Sequence, residues 1–121
     1  MADSKGNLFD YYPQSIRCRF NTLKGFFLQE VSQILYIRAN GNYSDIYLLD
    51  DSIKLITHTL SVTENMLKGH GFRRVGRSLM INLNFLSHVD RQSGQCVLDL
   101  PGRTINLSLS HNHIKKLSEL F

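Results

Sequence analysis

The sequence predicts a mainly β fold of antiparallel strands with one or two short helices. Three observations carry that reading. Apolar and polar residues alternate with period two through most of the chain. Tight-turn signals such as Asn40-Gly41-Asn42 and Pro101-Gly102 separate the alternating runs. A helical period replaces the alternation in only two short stretches, after Ser61 and after Ser110. At 121 residues, 42% hydrophobic and 20% charged, the chain has the composition of one ordinary globular domain that buries its own core.

The elements follow in order. Residues 1–14 are polar or turn-forming and close on Pro13, which predicts a flexible N-terminal segment or a linker remnant ahead of a domain over 15–121. Ile16-Arg17-Cys18-Arg19-Phe20 alternates as a half-buried strand does. The turn Asn21-Thr22-Leu23-Lys24-Gly25 joins it to a second strand, Phe26 to Val31. The third, Ser32 to Ala39, is expected to place Leu35 and Ile37 on one side and Ile34 and Tyr36 on the other. Asn40-Gly41 suits the positive φ angles of a hairpin turn into a fourth strand, Tyr43 to Leu49. Asp50-Asp51-Ser52 turns again into Ile53 to Thr59.

Ser61 and Glu64 then have the spacing of a capping box that opens a short helix carrying Met66 and Leu67, and Gly69-His70-Gly71 stops it. Leu79, Ile81, Leu83 and Phe85 alternate through a strand that bends near Asn82-Leu83-Asn84. Gln95 to Leu100 and Arg103 to Leu109 form a last hairpin about Pro101-Gly102, with Thr104, Asn106 and Ser108 facing away from Ile105, Leu107 and Leu109. Ser110 caps a final short helix whose Ile114, Leu117 and Phe121 are expected on one face.

Charge is divided unevenly. Residues up to Leu67 hold six Lys and Arg against seven Asp and Glu, whereas Lys68 to Lys116 holds eight against two. The second half therefore presents a surface for a polyanion. Its densest part is Arg73-Arg74-Val75-Gly76-Arg77-Ser78, an arginine-rich loop running into the apolar strand that begins at Leu79. A guanidinium held on such a strand can form paired hydrogen bonds to phosphate or to the O6/N7 edge of guanine; a solvated turn is the plainer reading of the same residues.

Catalytic and metal chemistry finds little support. The chain carries no GxGxxG, P-loop, HExxH or GxSxG pattern. His111 and His113 lie two apart at a helix start and so point in different directions, which leaves no metal site and no cofactor expected. Cys18 and Cys96 sit in strand-like contexts without CxxC spacing and read as reduced core residues. No apolar run spans a membrane and no signal peptide opens the chain, so the expected location is cytoplasmic, with no membrane partner.

The spacing of Phe72, Arg74, Arg77, Ser78, Leu79, Ile81 and Asn82, with Ile34-Leu35-Tyr36-Ile37 and Gly41-Asn42-Tyr43 upstream and Leu109-Ser110 before the last helix, resembles the pattern of the LytTR-type DNA-binding domain. The resemblance runs from about Cys18 to the end, with Gly76 where the family usually has His. It implies an elongated β-sheet or sandwich domain that puts loops, in place of a recognition helix, into successive major grooves of double-stranded DNA. It further implies transcription regulation, as the output module of a bacterial two-component response regulator with a receiver domain or as a stand-alone regulator, with two copies on direct repeats. The alternative is a protein-interaction module of the same fold that binds or titrates another transcription regulator, and that alternative predicts no shift of DNA even in low salt. RNA binding is the weaker option, since the chain has no exposed aromatic ladder.

Three loops match family positions. In the arginine loop, Arg77 is the candidate for a base edge, Arg74 for a clamp on the DNA backbone, and Arg73 for a phosphate contact or plain solvation, with Ser78 beside them. In the first turn the candidates are Asn42, Tyr43 and Ser44, although Tyr43 reads equally as a core residue of the hairpin. At the last helix His111 or Asn112 meets phosphate or base, and Lys115 and Lys116 touch the backbone or form a solvated face. Asn82 reads as structural, its amide holding a backbone turn.

Overall fold

The computed structural model describes residues 15–121; the flexible segment expected over 1–14 lies outside the described residues. In chain order the elements are β1 (Arg17–Asn21), β2 (Phe26–Glu30), β3 (Ile34–Asn40), β4 (Tyr43–Leu48), β5 (Ile53–Ile56), α1 (Leu60–Met66), β6 (Phe72–Arg74), β7 (Leu79–Asn82), β8 (Leu86–Asp90), β9 (Gln95–Leu100), β10 (Arg103–Ser108) and α2 (His111–Ser118). Single 3-10 turns at Val31–Gln33 and Leu83–Phe85 precede β3 and β8. The fold is mainly β as predicted. A hairpin β1-β2, a five-stranded sheet in the order β5-β4-β3-β7-β6 and a three-stranded sheet β10-β9-β8 are all antiparallel.

The five-stranded sheet is the middle layer. On one side Phe20 of β1, Ile46 of β4, Ile56 of β5, and Leu60 and Leu67 around α1 pack with Ile34, Ile37 and Met80. On the other side Cys96, Leu98 and Leu100 of β9, Leu107 of β10 and Leu117 of α2 pack with Leu35, Tyr36, Leu79 and Ile81. A sheet covered on both faces reads as an apolar run instead of an alternation, which explains Ile34-Leu35-Tyr36-Ile37 and the wholly buried β7.

The facing expected for β3 is corrected here. Ile34 shares its cluster with Ile37, and Leu35 shares its cluster with Tyr36. The pairing with β4 is irregular between Ile34 and Tyr36, and one such bulge shifts the side-chain phase by a residue. The bend near Asn82 matches the structure. The Asn82 side chain is buried, its Nδ2 donates to the Ile34 carbonyl at 2.9 Å, and its Oδ1 accepts from the Asn84 N–H at 3.0 Å.

Both helix starts are also resolved. The N-cap of α1 is Thr59, whose Oγ1 accepts from the Val62 N–H at 3.3 Å, so the expected capping box from Ser61 to Glu64 does not form. Ser61 instead stands in the first turn of the helix. At α2 Ser110 is the cap as predicted, accepting from the His113 N–H at 3.3 Å. Ile114 and Leu117 are buried there, but Phe121 falls beyond the helix and is exposed, a second correction to the expected face. Lys115 and Lys116 lie in the last turn, where the helix dipole favours positive charge.

Candidate nucleic-acid interface

Strand register brings two of the three candidate loops to one end of the middle sheet. β3 and β7 are antiparallel partners with Arg38 opposite Leu79. One step further on, the Ala39 N–H donates to the Ser78 carbonyl at 2.8 Å. The turn after β3 therefore starts beside the loop that precedes β7. That turn is tight, with Asn40 paired to Tyr43 and Gly41 at φ 61°. Positive φ falls on Gly41 and not on Asn42, the pattern of a type II′ turn.

The arginine stretch is only partly a loop, which the sequence reading missed. Phe72, Arg73 and Arg74 form β6, the outer strand of the sheet, paired with Asn82, Ile81 and Met80. The short strand alternates: Arg73 is exposed and Arg74 half-buried. Val75 is buried and its N–H donates to the Leu79 carbonyl at 2.9 Å, so only Gly76, Arg77 and Ser78 bulge out between the two strands. A Cβ built at Gly76 would meet nothing within 4 Å, yet its φ of 159° is one that residues with a side chain rarely adopt, so glycine here is set by the backbone and not by crowding.

Three consecutive carbonyls of that loop are held. Arg74 Nε donates to the Gly76 carbonyl at 3.1 Å, and Arg74 Nη2 donates to the Arg77 carbonyl at 2.7 Å. The Ser78 carbonyl is the one bonded from β3. Arg74 is fixed in turn by α1: its Nη1 donates to Ser61 Oγ at 2.9 Å and lies 3.6 Å from Glu64 Oε1. Arg77 and Ser78 themselves are exposed. The result is an outward guanidinium on a backbone tied at three successive residues.

The other sequence candidates separate. Asn42 and Tyr43 are exposed at the hairpin tip. Ser44 is fully buried and its hydroxyl donates to the His58 carbonyl at 2.8 Å, so it serves the interior and is withdrawn from the candidate surface. Around α2, His113 and Lys116 line a groove of about 770 Å³ together with Lys68, Arg73 and Gly76. His111 and Lys115 line a different hollow, beside Arg91. Asn112 is exposed in the first turn.

Lys68 and His113 were not among the residues that the sequence offered for contact with DNA. For His113 the signal is its spacing of three from Lys116, which puts both on one side of a helix. Lys68 lies beyond α1 and becomes legible only once the groove exists. Glu64 is the one acid lining this groove, and Arg74 neutralises it. The remaining lining charge is positive.

Burial pushes the thiols of Cys96 and Cys18 up, which keeps them protonated near neutral pH. Among the described residues no group of His, Cys, Asp or Glu is placed to hold a metal ion. No described helix is long and apolar enough to cross a membrane. What the arrangement offers is charged donors on a stiff frame, which is the chemistry of polyanion recognition.

Comparison with known proteins points the same way. Residues 24–121 match the model of the LytTr DNA-binding domain family. Among solved structures the chain is similar to one described as the LytTr DNA-binding domain of a methyl-accepting/DNA response regulator from Bacillus cereus. The TM-score is 0.64 at 17% identity, over 88% of this chain and 96% of that one. No curated protein matches the sequence.

Proposed function

The chain belongs to the LytTR DNA-binding domain family, and from that premise we propose that it reads double-stranded DNA through Arg77 and so regulates transcription at a defined sequence. The observation that carries this reading is the exposed Arg77 on a loop whose three carbonyls are tied down next to the hairpin tip of Asn42 and Tyr43. A guanidinium leaving a fixed point can meet O6 and N7 of guanine together, and each such paired contact discriminates by about 1–3 kcal/mol. Arg73, Lys68, His113 and Lys116 around the groove contribute phosphate contacts, which position the duplex without selecting its sequence. Asn112 and Ser78 flank this surface, while His111 and Lys115 reach the duplex only where it extends past the outer side of α2.

In the proposed setting the domain is the output half of a response regulator or a stand-alone regulator in the cytoplasm. Two copies bind direct repeats, one repeat per copy. Each copy then needs only its own loops for contact, and cooperativity comes from the shared duplex.

The test is selection of bound sequences from a random duplex pool, followed by affinities on the selected and a shuffled duplex at one salt concentration. Arg77→Ala is expected to lose about 1–3 kcal/mol on the selected site and far less on the shuffled one. Arg73→Ala is expected to weaken both alike. Equal losses for Arg77→Ala on the two duplexes would reduce it to a phosphate contact. No shift of any duplex in low salt would replace DNA binding with the protein-interaction reading.

A further inference from the structure

We infer that Arg74 is a positioning residue for Arg77, and that α1 thereby belongs to the base-reading device. The inference deepens the proposed function and rests on it. A clamp on the DNA backbone needs guanidinium donors aimed at solvent. Arg74 has instead turned its fork inward, with Nε on the Gly76 carbonyl, Nη2 on the Arg77 carbonyl and Nη1 on Ser61 Oγ. Glu64 lies within ion-pair distance of the same Nη1, at 3.6 Å. The Arg74 side chain keeps 27% exposure, so these bonds are only partly shared with water.

The geometry asks for arginine specifically. Its planar group carries donors in three directions, and here they reach two loop carbonyls on one side and a helix on the other. A lysine carries the same charge at a single point and cannot span both. Ser61 and Glu64 are three residues apart on α1, hence on one face of it. That helix is anchored in the core through Leu60, Thr63 and Leu67. Rigidity therefore passes from the core to α1, from α1 to Arg74, and from Arg74 to the two peptide groups that aim the Arg77 side chain. Preorganisation of this kind preserves discrimination, because a loose Arg77 would still find phosphate but would lose the paired geometry on a base edge.

The experiment measures the full chain on its selected duplex and on a shuffled duplex, across a salt series. Arg74→Lys is expected to lower the selected-to-shuffled affinity ratio by roughly 5- to 150-fold, as far as Arg77→Ala does, with the salt slope unchanged. The double variant is expected to fall no lower than Arg77→Ala alone, since the two residues act as one unit. A phosphate clamp behaves differently. Arg74→Lys would keep the ratio, and Arg74→Ala would weaken both duplexes equally with a slope reduced by about 0.9; that result overturns the inference.

Ser61→Ala and Glu64→Gln remove the helix-side partners while keeping Arg74, and guard against a variant that fails to fold. Each is expected to lower the ratio partway. Backbone 15N order parameters of Arg77 and Ser78 without DNA supply an independent readout, expected to fall in Arg74→Lys as the two carbonyls lose their donors. If Arg77→Ala leaves the ratio intact, base reading by Arg77 fails on its own account. Unchanged order parameters in Arg74→Lys overturn the positioning role by themselves.

Discussion

Three arginines within five residues carry three different environments, and alternation decides which is which. The exposed position of Arg77 was legible in the sequence, because an arginine just ahead of an apolar strand stands out by spacing. The division of labour between Arg73 and Arg74 was not. It depends on β6, a three-residue strand too short to show a period, whose pleat turns Arg73 outward and Arg74 toward the loop. Ser44 misled for a related reason. A small hydroxyl beside a turn reads as surface, yet its register opposite Ala39 and Ile56 puts it inside. Ser44→Ala removes the donor to the buried-side bond at His58 and is expected to cost about 1–3 kcal/mol in chemical denaturation. The same variant should leave the selected-to-shuffled ratio of the native protein unchanged, and a loss of that ratio would return Ser44 to the interface.

At the scale of elements, the strands and their order along the chain were readable from period two and from turn residues. The errors occur where two local rules compete. Thr59 and Ser61 both suit an N-cap, and Ser61 alone has a Glu three residues on, so the capping-box pattern favours the wrong residue. Burial of Leu60 settles the matter: with Leu60 in the core the helix must begin one residue after Thr59. Thr59→Ala is therefore expected to lower stability by about 1 kcal/mol in a thermal melt, and Ser61→Ala by clearly less. Equal effects would mean that α1 starts later than described. β3 makes a second test. Because both of its faces are covered, Leu35→Ala and Ile37→Ala should each cost about 2–5 kcal/mol although they serve opposite clusters. A half-exposed strand would show a large loss for only one of them.

For the whole molecule, the uneven charge pointed to a polyanion surface, and it was the resemblance to the LytTR pattern that named DNA as the polyanion. What composition could not supply was the place where that charge collects. Folding gathers Lys68 from the turn after α1, Arg73 from β6, and His113 and Lys116 from α2 around one groove, next to the loop that carries Arg77. The same folding sends His111 and Lys115 elsewhere, though they are neighbours of those residues in sequence. In the proposed function this face binds DNA electrostatically and selects sequence through a small, stiff set of side chains. The most direct test of that proposal is a salt titration of the chain on selected and shuffled duplexes. If roughly four to six basic groups meet phosphate, log K against log salt falls with a slope of about −4 to −5 on both, because counterion release ignores sequence. The two lines should stay separated, with the selected duplex bound about 10³-fold or more tightly. A flat response to salt, or two coincident lines, would contradict the account.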